Sequence, residues 1–225
     1  MESTGSTNAD LLREVEAGRA THRTVLVADH QSAGRGRLDR TWVAPPGANL
    51  LVSLLFTQVP ANPTVLTHVV GISAARAIDP AVGLKWPNDL VVGDRKLAGV
   101  LAQREPTSGA VVVGIGVNVG WAPDGAALVH DLASSGEHPV SPLDLLAAML
   151  GEIDALLAES PESIAASYRD RLVTLGQRVR VELPGDRVLL GSAVDVDELG
   201  RLLVDDDEGM RHVLDVGDVV HLRRS

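Results

Sequence analysis

The chain changes character at Gly176. Beyond it, every stretch reads as a short strand: QRVRVEL, RVLLGSAVDV, RLLVDD, MRHVLD and VVHLRR. They are separated by Pro-Gly-Asp, Glu-Leu-Gly, Asp-Glu-Gly and Val-Gly-Asp. Turn signals at that spacing are typical of a small β-barrel. Before Gly176, helical and strand patterns mix, so a domain boundary is expected near residue 175, dividing the chain into 1–175 and 176–225.

Ser6, Thr7 and Asn8 precede LLREVEAG, where a hydroxyl or amide can cap a short helix that Gly18 ends. RTVLVAD and ANLLVSLLF read as strands, and residues 63–78 as a helix rich in alanine and valine. LVV, Gly93-Asp94 and RKLAGVLAQ form a predicted hairpin whose first turn residue, glycine, suits a positive φ. AVVVGIGVNV is nearly all apolar and is expected to be central in a sheet. Ser141-Pro142 open a helix whose Leu143, Leu146, Leu150, Ile153 and Leu157 share a predicted core face. PESIAASYRDRLV continues as a second helix.

Composition removes several function classes. The 225 residues carry a formal charge of -10, which argues against a general binder of nucleic-acid backbones. With no cysteine there is no disulfide, thiolate metal site or cysteine nucleophile. The start has neither a basic n-region nor an apolar h-region, and no apolar run reaches membrane-spanning length. A cytoplasmic protein without membrane contact is expected.

Among 20 cationic residues only Lys85 and Lys96 are lysine, and both fall in KWPNDLVVGDRKLAGVLAQ. In an arginine-rich chain, a lysine that persists marks a place for a compact ammonium where a planar guanidinium does not fit. The loop QSAGRGRLDRTW opposes Arg35, Arg37 and Arg40 to one Asp39. Its glycines, 34 and 36, suit positive φ and backbone amides aimed at an anion, while arginines clamp carboxylate or phosphate oxygens in pairs. Trp42 offers a stacking surface to a purine. Asn88-Asp89 follow Pro87 at a kink between strands. GIGVNV does not fit GxGxxG, but its small residues can admit a ligand against a buried strand, with Asn118 supplying an amide.

Taken in order, STN, QxxGRGRxxxxW, KWPND, KLAG and GxGxN closely resemble biotin protein ligase, the biotin-[acetyl-CoA-carboxylase] ligase family, over essentially the whole chain. The resemblance implies an α+β fold: a mostly antiparallel sheet with flanking helices, related to lipoate ligases and class II aminoacyl-tRNA synthetases, plus a small SH3-like barrel. It implies activation of biotin by ATP and Mg²⁺ to biotinyl-5'-AMP, then transfer to a lysine of a biotin carboxyl carrier domain. Carried over by motif, Ser6, Thr7, Asn8, Gln31, Arg35, Gly36, Arg37, Lys96, Gly99 and Gly116 would surround biotin. Arg35, Arg37, Arg40, Trp42 and Asn118 would surround the adenylate, Lys96 and Arg37 would be catalytic, and Asp89 would lie near the metal and phosphates. Five residues before STN leave no room for the helix-turn-helix of the repressor-type members, so a monofunctional enzyme without DNA binding is expected. A homodimer is left open. Alternatives are a lipoate-type ligase, which the polar STN and Gln31 set disfavours, and a non-catalytic binding regulator, which Lys96 and the three arginines disfavour.

Overall fold

In chain order the elements are β1 (Ser3–Thr4), α1 (Thr7–Glu16), β2 (Val25–Ala28), β3 (His30–Gln31), β4 (Leu50–Phe56), α2 (Thr64–Ile78), β5 (Gly83–Lys85), β6 (Asp89–Val92), β7 (Arg95–Arg104) and β8 (Val111–Val117). They continue with α3 (Val129–Leu132), α4 (Pro142–Leu157), α5 (Pro161–Arg171), β9 (Arg178–Leu183), β10 (Arg187–Val196), β11 (Leu202–Asp206), β12 (Arg211–Leu214) and β13 (Asp218–His221). This computed structural model describes residues 1–38, 40–132, 141–185 and 187–222. Asp39 of the arginine loop and Asp186 of the Pro-Gly-Asp turn lie outside the described residues.

Six strands form one antiparallel sheet in the order β2-β4-β8-β7-β6-β5. Side-chain alternation along β4 and β8 gives its faces different chemistry. Leu50, Val52, Leu54 and Phe56 of β4, with Val111, Val113, Ile115 and Val117 of β8, enter the main core. Helix α2 covers that face, with α4 and α5 packed on α2. Each such side chain contributes about 1.5–3 kcal/mol on full burial. On the other face Leu55 and Val112 pack on Leu11 of α1. Further along, that face bears Ser53, Gly114 and Gly116, paired in register with Leu101 and Gly99 of β7. Small and polar residues there leave an open floor.

The last five strands form an antiparallel sheet, order β12-β11-β10-β9-β13, consistent with the SH3-like module. Its buried Val179, Val181, Ala193 and Val204 belong to the same core cluster as the main sheet. Trp86, only 3% exposed, fastens the two sheets together. Its Nε1 donates to Gly200 O at 2.9 Å, and its backbone N donates to Thr174 Oγ1 at 3.0 Å. Gly200, at φ +78, must be glycine, because a Cβ there would also meet His68 Cε1 at 2.7 Å. Among the described residues no helix is long and apolar enough to cross a membrane.

Three sequence expectations are corrected. Of the predicted α4 stripe, Leu146, Leu150, Ile153 and Leu157 pack in or against the core, but Leu143 is 66% exposed, and Leu145, Met149 and Leu156 are buried beside that stripe. The face of α4 that packs on α2 is wider than one stripe and ends short of Leu143. Ser6 occupies the N-cap of α1 without a side-chain cap bond; the hydroxyl and amide side chains of Thr7 and Asn8 point into a polar network instead. In the arginine loop neither Gly34 nor Gly36 has positive φ; Leu38 does, at φ 54. The role of Gly34 is steric, since a Cβ would lie 2.4 Å from Trp42 O.

Candidate active site

The open floor lies under a cavity of about 600 Å³, within the size range of small-molecule sites. Its walls come from the start of α1, the arginine loop, the β5–β6 hairpin, β7 and β8, and the segment after β8. Strands β9 and β13 contribute Glu182, Asp218, Val219 and Val220.

At one end, β1 and β3 pair in parallel and bring Gln31 beside the start of α1. Gln31 Oε1 accepts from Thr7 N at 2.7 Å and from Thr7 Oγ1 at 2.9 Å. Ser53 Oγ lies 2.7 Å from Thr7 Oγ1 and 2.6 Å from Asn8 Oδ1. Asn8 Nδ2 donates to Leu101 O at 3.1 Å and Gln103 Oε1 at 2.9 Å. Both amide protons of Asn8 are therefore committed inside the protein, which fixes the residue that carries Thr7. Gly114 makes this network possible, because a Cβ there would fall 2.2 Å from Asn8 Oδ1. Ser53 and Gln103 are members that sequence reasoning missed. Each sits in an otherwise ordinary strand pattern, and only the register betrays it.

In the middle, the Trp42 indole lies on the backbone of Gly99 and Gly116. A Cβ on Gly116 would stand 2.5 Å from Trp42 Cε2, and one on Gly99 3.4 Å from Cζ3. The small residues of GIGVNV thus admit a tryptophan and an asparagine of the same chain against the strand. Trp42 Nε1 is buried against the Gly116 backbone without a hydrogen-bond partner. Lys96 Nζ stands 5.7 Å from the ring centroid.

At the other end charges converge. Lys96 Nζ lies 2.6 Å from Asp89 Oδ1, an ion pair off hydrogen-bond alignment. Arg37 reaches inward from the loop, and its Nη1 donates to Asn88 Oδ1 at 3.2 Å. Burial holds its guanidinium below the usual range, with Asp89 opposing and Arg40 adding to the effect. Arg40 is ion-paired to Asp218 of β13, which ties the arginine loop to the C-terminal sheet. Arg35 is exposed, its backbone bridged to Thr41. Asn118, 2% exposed, donates to Ala127 O at 3.2 Å and holds the segment after β8 against the sheet. Every site residue taken from the sequence comes to this one cavity or its rim. Lys85, Trp121, Glu182 and Asp218 line it in addition.

A cavity with a polar end, an aromatic middle and a cationic end, built on an antiparallel sheet, suits a neutral headgroup joined to an anion. The family model described as "Biotin/lipoate A/B protein ligase family" matches residues 1–119. The model described as "Biotin protein ligase C terminal domain" matches residues 174–222, and the chain belongs to the biotin protein ligase family. It is 39% identical to "Biotin--[acetyl-CoA-carboxylase] ligase" of Mycobacterium tuberculosis, covering 98% of this chain and 87% of that protein. The ligase of the same name from Paracoccus denitrificans is 32% identical, with 96% and 97% covered. The biotin protein ligase of Aquifex aeolicus, solved in complex with biotin and ATP, superposes with a TM-score of 0.82 at 26% identity, covering 100% of this chain and 97% of that one.

Proposed function

We propose that this protein is an ATP-dependent ligase that activates biotin to biotinyl-5'-AMP and transfers the biotinyl group to a lysine of a biotin carboxyl carrier domain. The observation that carries the reading is the convergence of Lys96, Asp89 and Arg37 at one end of a cavity whose other end is the Thr7–Gln31–Ser53 network. Activation joins two anions, the biotin carboxylate and the α-phosphate, and fixed cations offset their repulsion as charge builds on the transferring centre. Lys96 bridges carboxylate and α-phosphate in this assignment. Arg35, Gly36, Arg37 and Arg40 belong to the loop that covers the intermediate and excludes water from it.

Ser6, Thr7 and Gln31 face the ureido ring, with Asn8 holding them in place. Gly99 and Gly116 form the floor under Trp42 and the tail of biotin. Trp42 and Asn118 border the adenylate. Mg²⁺ suits a site with one carboxylate, because this ion is commonly held by substrate phosphates and water. Asp89, whose buried Oδ1 has no aligned hydrogen bond, is the residue that would hold it, and it would supply charge neutralisation at the phosphates. Among the described residues there is no cluster of three metal-ligating side chains that would suggest a transition metal.

The catalytic domain in this reading is 1–175 and the C-terminal module 176–225. The protein works in the cytoplasm, and its charge of -10 leaves duplex DNA unbound. Incubation with ATP and either biotin or lipoate tests the reading: biotin yields its adenylate and pyrophosphate, and lipoate yields neither. Adenylation of lipoate in preference to biotin would overturn it.

A further inference from the structure

Of the chain's two lysines, Lys96 has a place in the proposed reaction and Lys85 has none. Lys85 ends β5 and lines the same cavity. The other inward cations have partners: Lys96 with Asp89, Arg40 with Asp218 and Arg37 with Asn88. The two carboxylates that β9 and β13 bring to the cavity are also engaged, Asp218 by Arg40 and Glu182 by Arg180. Lys85 forms no ion pair among the described residues. It is not a solvated strand end either, being only partly exposed. His221 of β13 is close enough for the Lys85 charge, after burial, to lower its basicity.

Register gives the ammonium a direction. The Cα partner of Lys85 across the hairpin is Asp89, and the partner of Asp89 on its other side is Gly99 of β7, the strand that carries Lys96. Lys85 and Lys96 therefore flank Asp89 from strands two spacings apart, about 10 Å. We propose that Lys85 binds the β- and γ-phosphates of ATP and the pyrophosphate they become. This rests on the adenylation reading above. In that step a biotin carboxylate oxygen bonds to the α-phosphorus, and the bond from that phosphorus to the bridging oxygen breaks with its electron pair. No proton moves, and the leaving pyrophosphate gains the negative charge. In-line displacement puts the attacking and leaving oxygens on opposite sides of the phosphorus. Lys96 serves the first side and Lys85 the second. A compact ammonium with three donors follows a leaving group as it separates, which a planar guanidinium on a short strand end does less well.

The experiment uses the full chain with Lys85→Gln and Lys85→Arg. Three rates are measured: adenylation of biotin, the reverse reaction of biotinyl-5'-AMP with pyrophosphate, and transfer from purified biotinyl-5'-AMP to a carrier domain. Lys85→Gln is expected to raise KM for pyrophosphate about tenfold and to lower kcat/KM for ATP by about 10²-fold, the scale of one lost charge contact. Lys85→Arg recovers part of both. Transfer from the purified adenylate stays within about twofold of wild type, because no pyrophosphate takes part. An unchanged KM for pyrophosphate in Lys85→Gln overturns the proposal, as does a transfer rate that falls in the same proportion as adenylation. A wild-type protein that forms no biotinyl-5'-AMP overturns the ligase reading, and the proposal with it.

Discussion

Replacing Gly116 with alanine probes the floor of the site with a single methyl group. Its Cβ would stand 2.5 Å from Trp42 Cε2 and 2.6 Å from Nε1, where ordinary contact begins at 3.4 Å. The strand cannot yield, because Gly116 is paired on both sides, to Leu51 and to Gly99, and the neighbouring Ile115 and Val117 are locked in the core. Trp42 is half-buried on a loop, so the ring moves, by roughly 0.9 Å if it shifts straight away from the strand. A misplacement near 1 Å in a positioning group costs about 10²-fold in rate, or about 2.7 kcal/mol of transition-state stabilisation. Had the ring been fixed, overpacking would cost about 1–3 kcal/mol of stability; release through the loop puts the loss at the low end. The assay pairs kcat/KM for biotin adenylation with urea unfolding of the same preparation. A fall of about 10²-fold with at most about 1 kcal/mol of destabilisation is expected. Adenylation within about threefold of wild type, with unfolding unchanged, would refute the claim that Trp42 on Gly116 positions the reactants.

Lys96→Ala lowers the adenylation rate by about 10²- to 10³-fold, as expected for one preorganised charge contact, and leaves Asp89 without its cation; single-turnover kinetics checks it. Arg37→Gly removes the bond to Asn88 that pins the loop, so biotinyl-5'-AMP escapes and labels lysines of a bystander protein; equal background labelling in variant and wild type contradicts this. His68, stacked on Tyr168 with centroids 3.7 Å apart, is held by burial to a pKa of about 4 against an ordinary 6.5. A base with a depressed folded pKa charges first in the unfolded chain, so stability is full above pH 6.5 and falls as pH drops toward 4, by about 3 kcal/mol in all. Urea unfolding between pH 7.5 and 4.5 should show that slope in wild type and a shallower one in His68→Phe.

Much of the fold was legible because local signals agreed. The Gly93 turn has φ +58 as its hairpin requires, Ser141 accepts from Asp144 N as a helix cap, and the apolar run of β8 is central in its sheet. The failures have one physical source, contacts between residues far apart in sequence. Asn8 reads as a cap until β7 and β8 supply Leu101, Gln103 and the space over Gly114. Leu143 of α4 keeps the apolar spacing, yet it lies off the face that packs on α2. Trp86 sits beside the chemical motif, yet its indole bonds to Gly200 in the C-terminal sheet, 114 residues away. Ser53 carries no signal of its own, since a lone serine in LLVSLLF looks like a tolerated interruption.

The intact mass of a biotin carboxyl carrier domain, after incubation with this protein, biotin and ATP–Mg²⁺, tests the ligase assignment most directly. A gain of one biotinyl group on a single lysine is predicted, absent when biotin or ATP is left out and slowed in Lys96→Ala as the adenylation rate is. A carrier whose mass does not change in the complete reaction, while the protein still binds biotin and ATP, would contradict it.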